Sequence, residues 1–166
     1  MAQTSLAVYP GSFDPITNGH VDLVKRTLRI FDRVVMAIAT NPDKHDSSLF
    51  TVEDRLKMIR EVFKGAGERV RAETFQGLLV DYAERTGAKV IIRGLRAVSD
   101  FDAELQLAHN NRRLAPEVDT VFFMTAVEHG HVSSSLVKEI AQFGGNISEM
   151  VPPAVEEALR RAFGAP

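Results

Sequence analysis

Residues 9–20 read Tyr9-Pro10-Gly11-Ser12-Phe13-Asp14-Pro15-Ile16-Thr17-Asn18-Gly19-His20, and the reading of this stretch decides the fold. It leaves the short apolar run Leu6-Ala7-Val8-Tyr9, turns through Gly and Pro, and reaches a histidine as an amphipathic pattern begins. Val21, Val24, Leu28 and Phe31 recur at helical spacing, which predicts a helix over 20–31. Read as a plain βα turn, the stretch has Asn18 as helix cap and His20 in solvent. Read as a ligand site, it presents N–H groups and the positive end of a helix dipole in one direction, which suits an anion such as phosphate. On that reading Ser12 and His20 donate to the anion, and Asp14 orders the loop by accepting backbone N–H bonds.

Outward from this stretch the same alternation repeats. Residues 34–39 (VVMAIA) are continuously apolar, as in a strand buried on both faces. A polar loop over 41–50 follows. Thr51 caps a helix reaching Val62, with Asp54 completing a near-variant of the capping box. Residues 70–75 read as a third strand, although Arg71 and Glu73 interrupt its pattern. A helix over 78–85 stops at Gly87. Val90-Ile91-Ile92 is a buried strand, and Arg93-Gly94-Leu95-Arg96 is expected as the loop at its carboxyl end. Ser99 with Asp102 opens a helix to about Arg113, residues 120–124 form a fifth strand, and Ser133 starts a helix ending at Gly144-Gly145. Pro152-Pro153 starts the last helix. This order predicts an α/β protein: a Rossmann-like, doubly wound sheet of about five parallel strands with helices on both faces, in one domain over 1–166. Ligands of such sheets sit beyond the carboxyl ends of the strands, near the switch in strand order. Segments 11–20, 41–44, 93–96 and 124–135 all fall there.

Composition narrows the function. The chain has 166 residues, 45% hydrophobic and 25% charged, with a net charge of −2, so no global field draws it to nucleic acid or to an anionic membrane. It has no cysteine, which excludes disulfides, zinc–thiolate centres and cysteine nucleophiles. No signal-peptide pattern or membrane-length apolar run is present, so a soluble, cytoplasmic protein is expected. Neither G-x-x-x-x-G-K-[ST] nor a strand-to-helix G-x-G-x-x-G occurs, which removes a P-loop and a dinucleotide redox site.

The remaining phosphate candidates are basic residues on loops. Lys44, in Asn41-Pro42-Asp43-Lys44-His45-Asp46, either swings over a bound phosphate or is solvated; His45 is assigned to solvent. Arg93 and Arg96 offer planar forks for phosphate oxygens, or else pair with Asp100 and Glu104. His109, Arg112 and Arg113 read as a solvated face. Ser133, Ser134 and Ser135 at a helix start suggest a second phosphate cradle. His129 and His131 lack a third metal ligand, so a protein-bound zinc is not expected.

Together YPGSFDPITNGH, NPDK, IIRGLRAVSDFDAELQLAH and HVSSSLVKE resemble the phosphopantetheine adenylyltransferase family over nearly the whole chain. TNGH resembles the (T/H)xGH signature of the wider nucleotidyltransferase superfamily. The resemblance implies transfer of the adenylyl group of ATP to 4′-phosphopantetheine, giving dephospho-coenzyme A and pyrophosphate, with Mg²⁺ accompanying the nucleotide. It implies that His20 stabilises the transition state, and that Lys44 and Arg96 neutralise the reacting phosphates. Ser12, Lys44, Leu79 and Arg93 match acceptor contacts. Ser12, Phe13, His20, Gly94, Leu95, Arg96, Glu104, His129, Gly130, His131, Val132, Ser133, Ser134 and Ser135 match the ATP side. His129 stands where some relatives carry an aromatic residue, and the loop after Lys44 is slightly longer than in some. The family implies a homohexamer with coenzyme A as feedback ligand. Two alternatives are a sister enzyme acting on nicotinamide mononucleotide or a polyol phosphate, and a nucleotide sensor without catalysis. The Arg93–Glu104 block argues against the first, and the presence of His20, Lys44, Arg93 and Arg96 against the second.

Overall fold

The computed structural model describes residues 5–41 and 47–164. Five strands, β1 (Leu6–Pro10), β2 (Arg33–Ala39), β3 (Val70–Phe75), β4 (Val90–Leu95) and β5 (Asp119–Met124), alternate with helices. The helices are α1 (Asn18–Thr27), α2 (Val52–Val62), α3 (Leu79–Thr86), α4 (Val98–Leu114), α5 (Ser134–Gln142) and α6 (Pro153–Phe163). The strands pair in the order β3-β2-β1-β4-β5, every pair parallel.

Successive side chains of a strand face opposite ways, so the central apolar runs feed two cores at once. Ala7, Tyr9, Val34, Met36 and Ile38 join Leu23, Val24, Ile59, Val137 and Leu159, contributed by α1, α2, α5 and α6. Val8, Val35, Ala37 and Ile91 join Val80, Tyr82 and Ala83 of α3 on the other face. The sheet is therefore doubly wound, as expected. β3 lies at an edge, which is why its pattern tolerates Arg71 and Glu73.

Several boundaries differ from expectation for local reasons. Thr17, not Asn18, is the cap of α1. That helix stops at Thr27 because the amides of Arg29 and Ile30 bond three residues back, which tightens the chain into a turn. Leu28 and Phe31 still pack on the core from beyond the helix. β4 does not end at Ile92: Arg93, Gly94 and Leu95 continue it, in register with Phe122, Phe123 and Met124 of β5. Ser99 is not a cap either. α4 starts one residue earlier behind Ala97, and its entry is tied by the Asp100 carboxylate accepting the Arg96 N–H at 3.2 Å. Two short 3₁₀ helices, Lys64–Arg69 and Val127–His129, have no counterpart in the sequence reading.

The chain winds from β1 outward to β3, then returns to place β4 on the other side of β1. The switch in strand order therefore lies between β1 and β4.

Candidate active site

A cleft of about 490 Å³ opens at the carboxyl ends of β1 and β4. One wall is the β1–α1 turn, with Tyr9, Gly11, Ser12, Thr17 and His20. The other is the end of β4 and the start of α4, with Arg93, Gly94, Arg96, Asp100 and Glu104. Thr125, His129, Val132, Ser133 and Ser134 close it.

His20 is held in one tautomer. Its Nδ1 accepts the backbone N–H of Thr17 at 3.0 Å, while the backbone N–H of His20 donates to Thr17 Oγ1 at 3.4 Å. This is a capping box with histidine in the place usually taken by Glu or Gln. With Nδ1 accepting, the ring proton belongs on Nε2. Burial, reinforced by the positive Arg96, lowers the imidazole pKa from 6.5 to about 4. His20 therefore enters the cleft as a neutral hydrogen-bond donor at physiological pH. The Phe13 ring meets it edge-on at 5.2 Å.

The same geometry narrows the backbone anion cradle expected at α1. The Thr17 and His20 amides are spent on the capping box, and the Asn18 amide bonds Met150 O at 2.9 Å. What α1 offers a ligand is the imidazole and the first-turn amide of Gly19, which lines the cleft. At α5, Ser133 Oγ caps the helix by accepting the Leu136 N–H at 3.2 Å, and Ser134 Oγ donates to Pro15 O at 2.8 Å. The first-turn amides of α5 lie beyond the reach of any carbonyl within the helix. α5 is thus a second helix start suited to an anion.

Both arginines are present at the cleft, and both have carboxylate partners. Arg93 Nε donates to Glu104 Oε2 at 2.6 Å and its Nη2 to Oε1, a two-pronged pair. Those bonds hold the Arg93 guanidinium still more firmly in its charged form. Arg96 is half-exposed, with Nε 3.5 Å from Asp100. Tyr9 lies beside them as a neutral phenol, its pKa pushed up by burial.

A second recess of about 460 Å³ shares Pro10, Gly11 and Ser12 with the cleft and extends over Ala37, Ala39, Thr40, Val52 and Phe75. Ser12 therefore stands on the ridge between two cavities. Its carbonyl accepts a bond from Nη1 of the buried Arg55 at 3.0 Å.

Of the residues expected at the site, Ser12, His20, Arg93, Gly94, Arg96, Glu104, His129, Val132, Ser133 and Ser134 line the cleft. Lys44 lies outside the described residues, as does His45. The Phe13 side chain is 1% exposed and supports His20 from beneath, which leaves its backbone rather than its ring to face a ligand. Leu79 packs against the second core and borders neither cavity. Leu95, Gly130, His131 and Ser135 do not border the cleft. The sequence reading missed Tyr9, Thr17, Asp100 and Thr125 as cleft residues, and Arg55 beneath it. Thr17 carried a signal as a hydroxyl residue immediately before a helical pattern, and Asp100 as a candidate partner of the arginines. Among the described residues, no three His, Cys, Asp or Glu side chains are placed to share a metal ion.

A cleft at the switch point of a doubly wound sheet, with a histidine donor and arginines, matches a known class. Residues 8–140 match the family model described as cytidylyltransferase-like. A solved structure with the same fold is the bifunctional NMN adenylyltransferase/ADP ribose pyrophosphatase of Francisella tularensis, complexed with AMP and a manganese ion. It superposes with a TM-score of 0.70 at 16% identity, over 96% of this chain and 49% of that one. The curated phosphopantetheine adenylyltransferase of Geobacter sulfurreducens is 52% identical over 163 residues, 98% of either chain. That of Geotalea daltonii is 52% identical over 158 residues, 95% of this chain and 96% of its own. The chain belongs to the phosphopantetheine adenylyltransferase family.

Proposed function

We propose that this protein transfers the adenylyl group of ATP to 4′-phosphopantetheine, forming dephospho-coenzyme A and releasing pyrophosphate. The observation that carries the reading is the single cleft in which His20, Arg96 and the start of α5 face one another. The names of relatives half identical over nearly the whole chain support the choice of acceptor.

The acceptor's phosphate oxygen attacks the α-phosphorus of ATP, a P–O bond forms, and the bond to the departing pyrophosphate breaks. The nucleophile already carries negative charge near neutral pH, so the protein supplies position and charge stabilisation rather than a strong base. In this reading His20 Nε2–H donates to the α-phosphate as charge grows there. Arg96 and Lys44 neutralise the reacting phosphates, and Ser12 on its ridge holds the acceptor phosphate. Arg93 and Leu79 serve the acceptor side. Phe13, through its backbone, with Gly94, Leu95, Glu104 and the segment His129, Gly130, His131, Val132, Ser133, Ser134 and Ser135, serves ATP. The cleft carboxylates Asp100 and Glu104 are already paired with arginines, so Mg²⁺ fits as a partner of the triphosphate oxygens rather than of a protein cage. When bound it shields the charge of those oxygens.

No helix among the described residues is long and apolar enough to cross a membrane. The proposed setting is the cytoplasm. Val98, Phe101, Leu107 and Leu114 of α4 and Met124 of β5 are exposed apolar side chains. They suit an interface between copies of the chain, in line with a homohexamer. Coenzyme A is the proposed feedback ligand.

The test is pyrophosphate release from Mg²⁺-ATP with 4′-phosphopantetheine or nicotinamide mononucleotide as acceptor. Release with the first alone is expected. Release with the second alone overturns the acceptor, and ATP binding without release with either overturns the enzymatic reading.

A further inference from the structure

Asp14 is a buried carboxylate that borders neither cavity; it is 4% exposed. A charge in such a place persists only where donors surround it. Its Oδ1 accepts the Phe50 N–H at 2.9 Å; its Oδ2 accepts the Leu49 N–H at 3.0 Å and the Lys138 ammonium at 2.7 Å. These donors do not belong to its own loop, where the sequence reading placed them. Two precede α2, and the third projects from α5. A second bond, Ser134 Oγ to Pro15 O at 2.8 Å, ties α5 to the same loop.

We propose that Asp14 is a positioning residue for adenylyl transfer. By joining the Ser12 loop, the segment entering α2 and helix α5, it sets the spacing between the wall that holds the acceptor phosphate and the wall that holds the nucleotide. The inference rests on the placement of the two substrates under Proposed function. Its physical basis is that in-line attack needs the reacting atoms about 3–3.5 Å apart, and a misplacement of ~1 Å costs ~10²-fold in rate. Asp14 is two residues from Ser12, and Lys138 is one turn beyond Ser134, so the pair bridges the two walls close to both.

Two near-isosteric variants test it. Asp14→Asn keeps one acceptor oxygen but turns an amide NH2, itself a donor, toward groups that donate. Lys138→Met keeps the aliphatic stem and removes the charge, and it carries the test should Asp14→Asn fail to fold. With wild type active on 4′-phosphopantetheine, kcat falls ~10²-fold in Asp14→Asn and ~10-fold in Lys138→Met. The Kd for ATP, measured without acceptor, stays within about threefold of wild type in both. The double variant loses no more than Asp14→Asn alone, because the pair acts as a unit. Amide exchange at Leu49 and Phe50 accelerates in Asp14→Asn. A kcat within about threefold of wild type in either variant, or an ATP Kd rising in step with the loss of rate, overturns the positioning role. Silence of the wild type with 4′-phosphopantetheine overturns the functional reading instead. Unchanged exchange at Leu49 and Phe50 then overturns the clamp itself.

Discussion

Replacement of His20 by alanine is the sharpest probe of the site. The imidazole accepts the Thr17 N–H at Nδ1 and keeps its proton on Nε2, and its pKa is lowered to about 4. It therefore acts as a fixed neutral donor, comparable to one donor of an oxyanion hole. Loss of one such donor costs ~10²–10³ in kcat, or about 3–4 kcal/mol of transition-state stabilisation. Thr17→Val should cost less, ~10-fold at most, because the backbone N–H that sets the tautomer survives the change. The kinetic assay is pyrophosphate release under saturating substrates. The companion measurement is nitrogen NMR of the labelled imidazole, which should show Nε2 protonated, Nδ1 unprotonated and no titration near 6.5. The NMR separates His20 from the acceptor's own phosphate, whose ionisation near pH ~6 also shapes the rate profile. An imidazole titrating near 6.5, or His20→Ala turning over within about threefold of wild type, would refute the reasoning.

Other outcomes follow from the same geometry. A His20 pKa lowered on folding means that the unfolded chain takes up the proton first, so stability is lost as pH falls from 6.5 toward 4. The fall corresponds to at most about 3 kcal/mol, since the ring is partly open to the cleft, and urea unfolding of wild type against His20→Gln at pH 7 and 4.5 measures it. In Gly11→Ala the new Cβ would lie 2.7 Å from Cζ of the buried Phe13 ring. A rigid ring cannot yield cheaply, so the variant should lose ~1–3 kcal/mol by chemical denaturation, and kcat should fall as the support of His20 shifts. Arg96→Ala should lower kcat/KM ~10-fold or more with little change in Tm, because an exposed pair with Asp100 contributes no more than ~1 kcal/mol. A large loss of Tm with normal kcat/KM would reassign Arg96 to the scaffold.

Much of the fold was legible because burial on both faces leaves a plain mark. The runs 34–39 and 90–92 admit no polar side chain, and each lies in a central strand with a core on either side. β3 was harder to read because an edge strand faces solvent, yet its bounds agree. The end of β4 was misread because Arg93 and Gly94 look like loop residues, while their pairing with Phe122 and Phe123 depends on a strand some thirty positions away. The site was legible where the chemistry is local, at Ser12, His20 and the α5 serines. It was illegible where it is not: Arg55 reads as one more charge on an amphipathic helix until Ser12 O is seen to accept from it.

By itself the sequence determined the class of fold, the absence of cysteine chemistry, and the segments 11–20, 93–96 and 124–135 that converge at the carboxyl edge of the sheet. Hydrophobic periodicity and turn residues are properties of neighbours along the chain, and neighbours suffice to state them. Only the tertiary structure decided which donors are free. It spent the His20 and Asn18 amides of α1 on Thr17 and Met150, turned Phe13 inward beneath His20, paired Arg93 with Glu104, and surrounded Asp14 with donors from two distant segments. Hydrogen bonds and desolvation depend on distances in space, and the order of residues does not contain those distances until the sheet has brought its ends together.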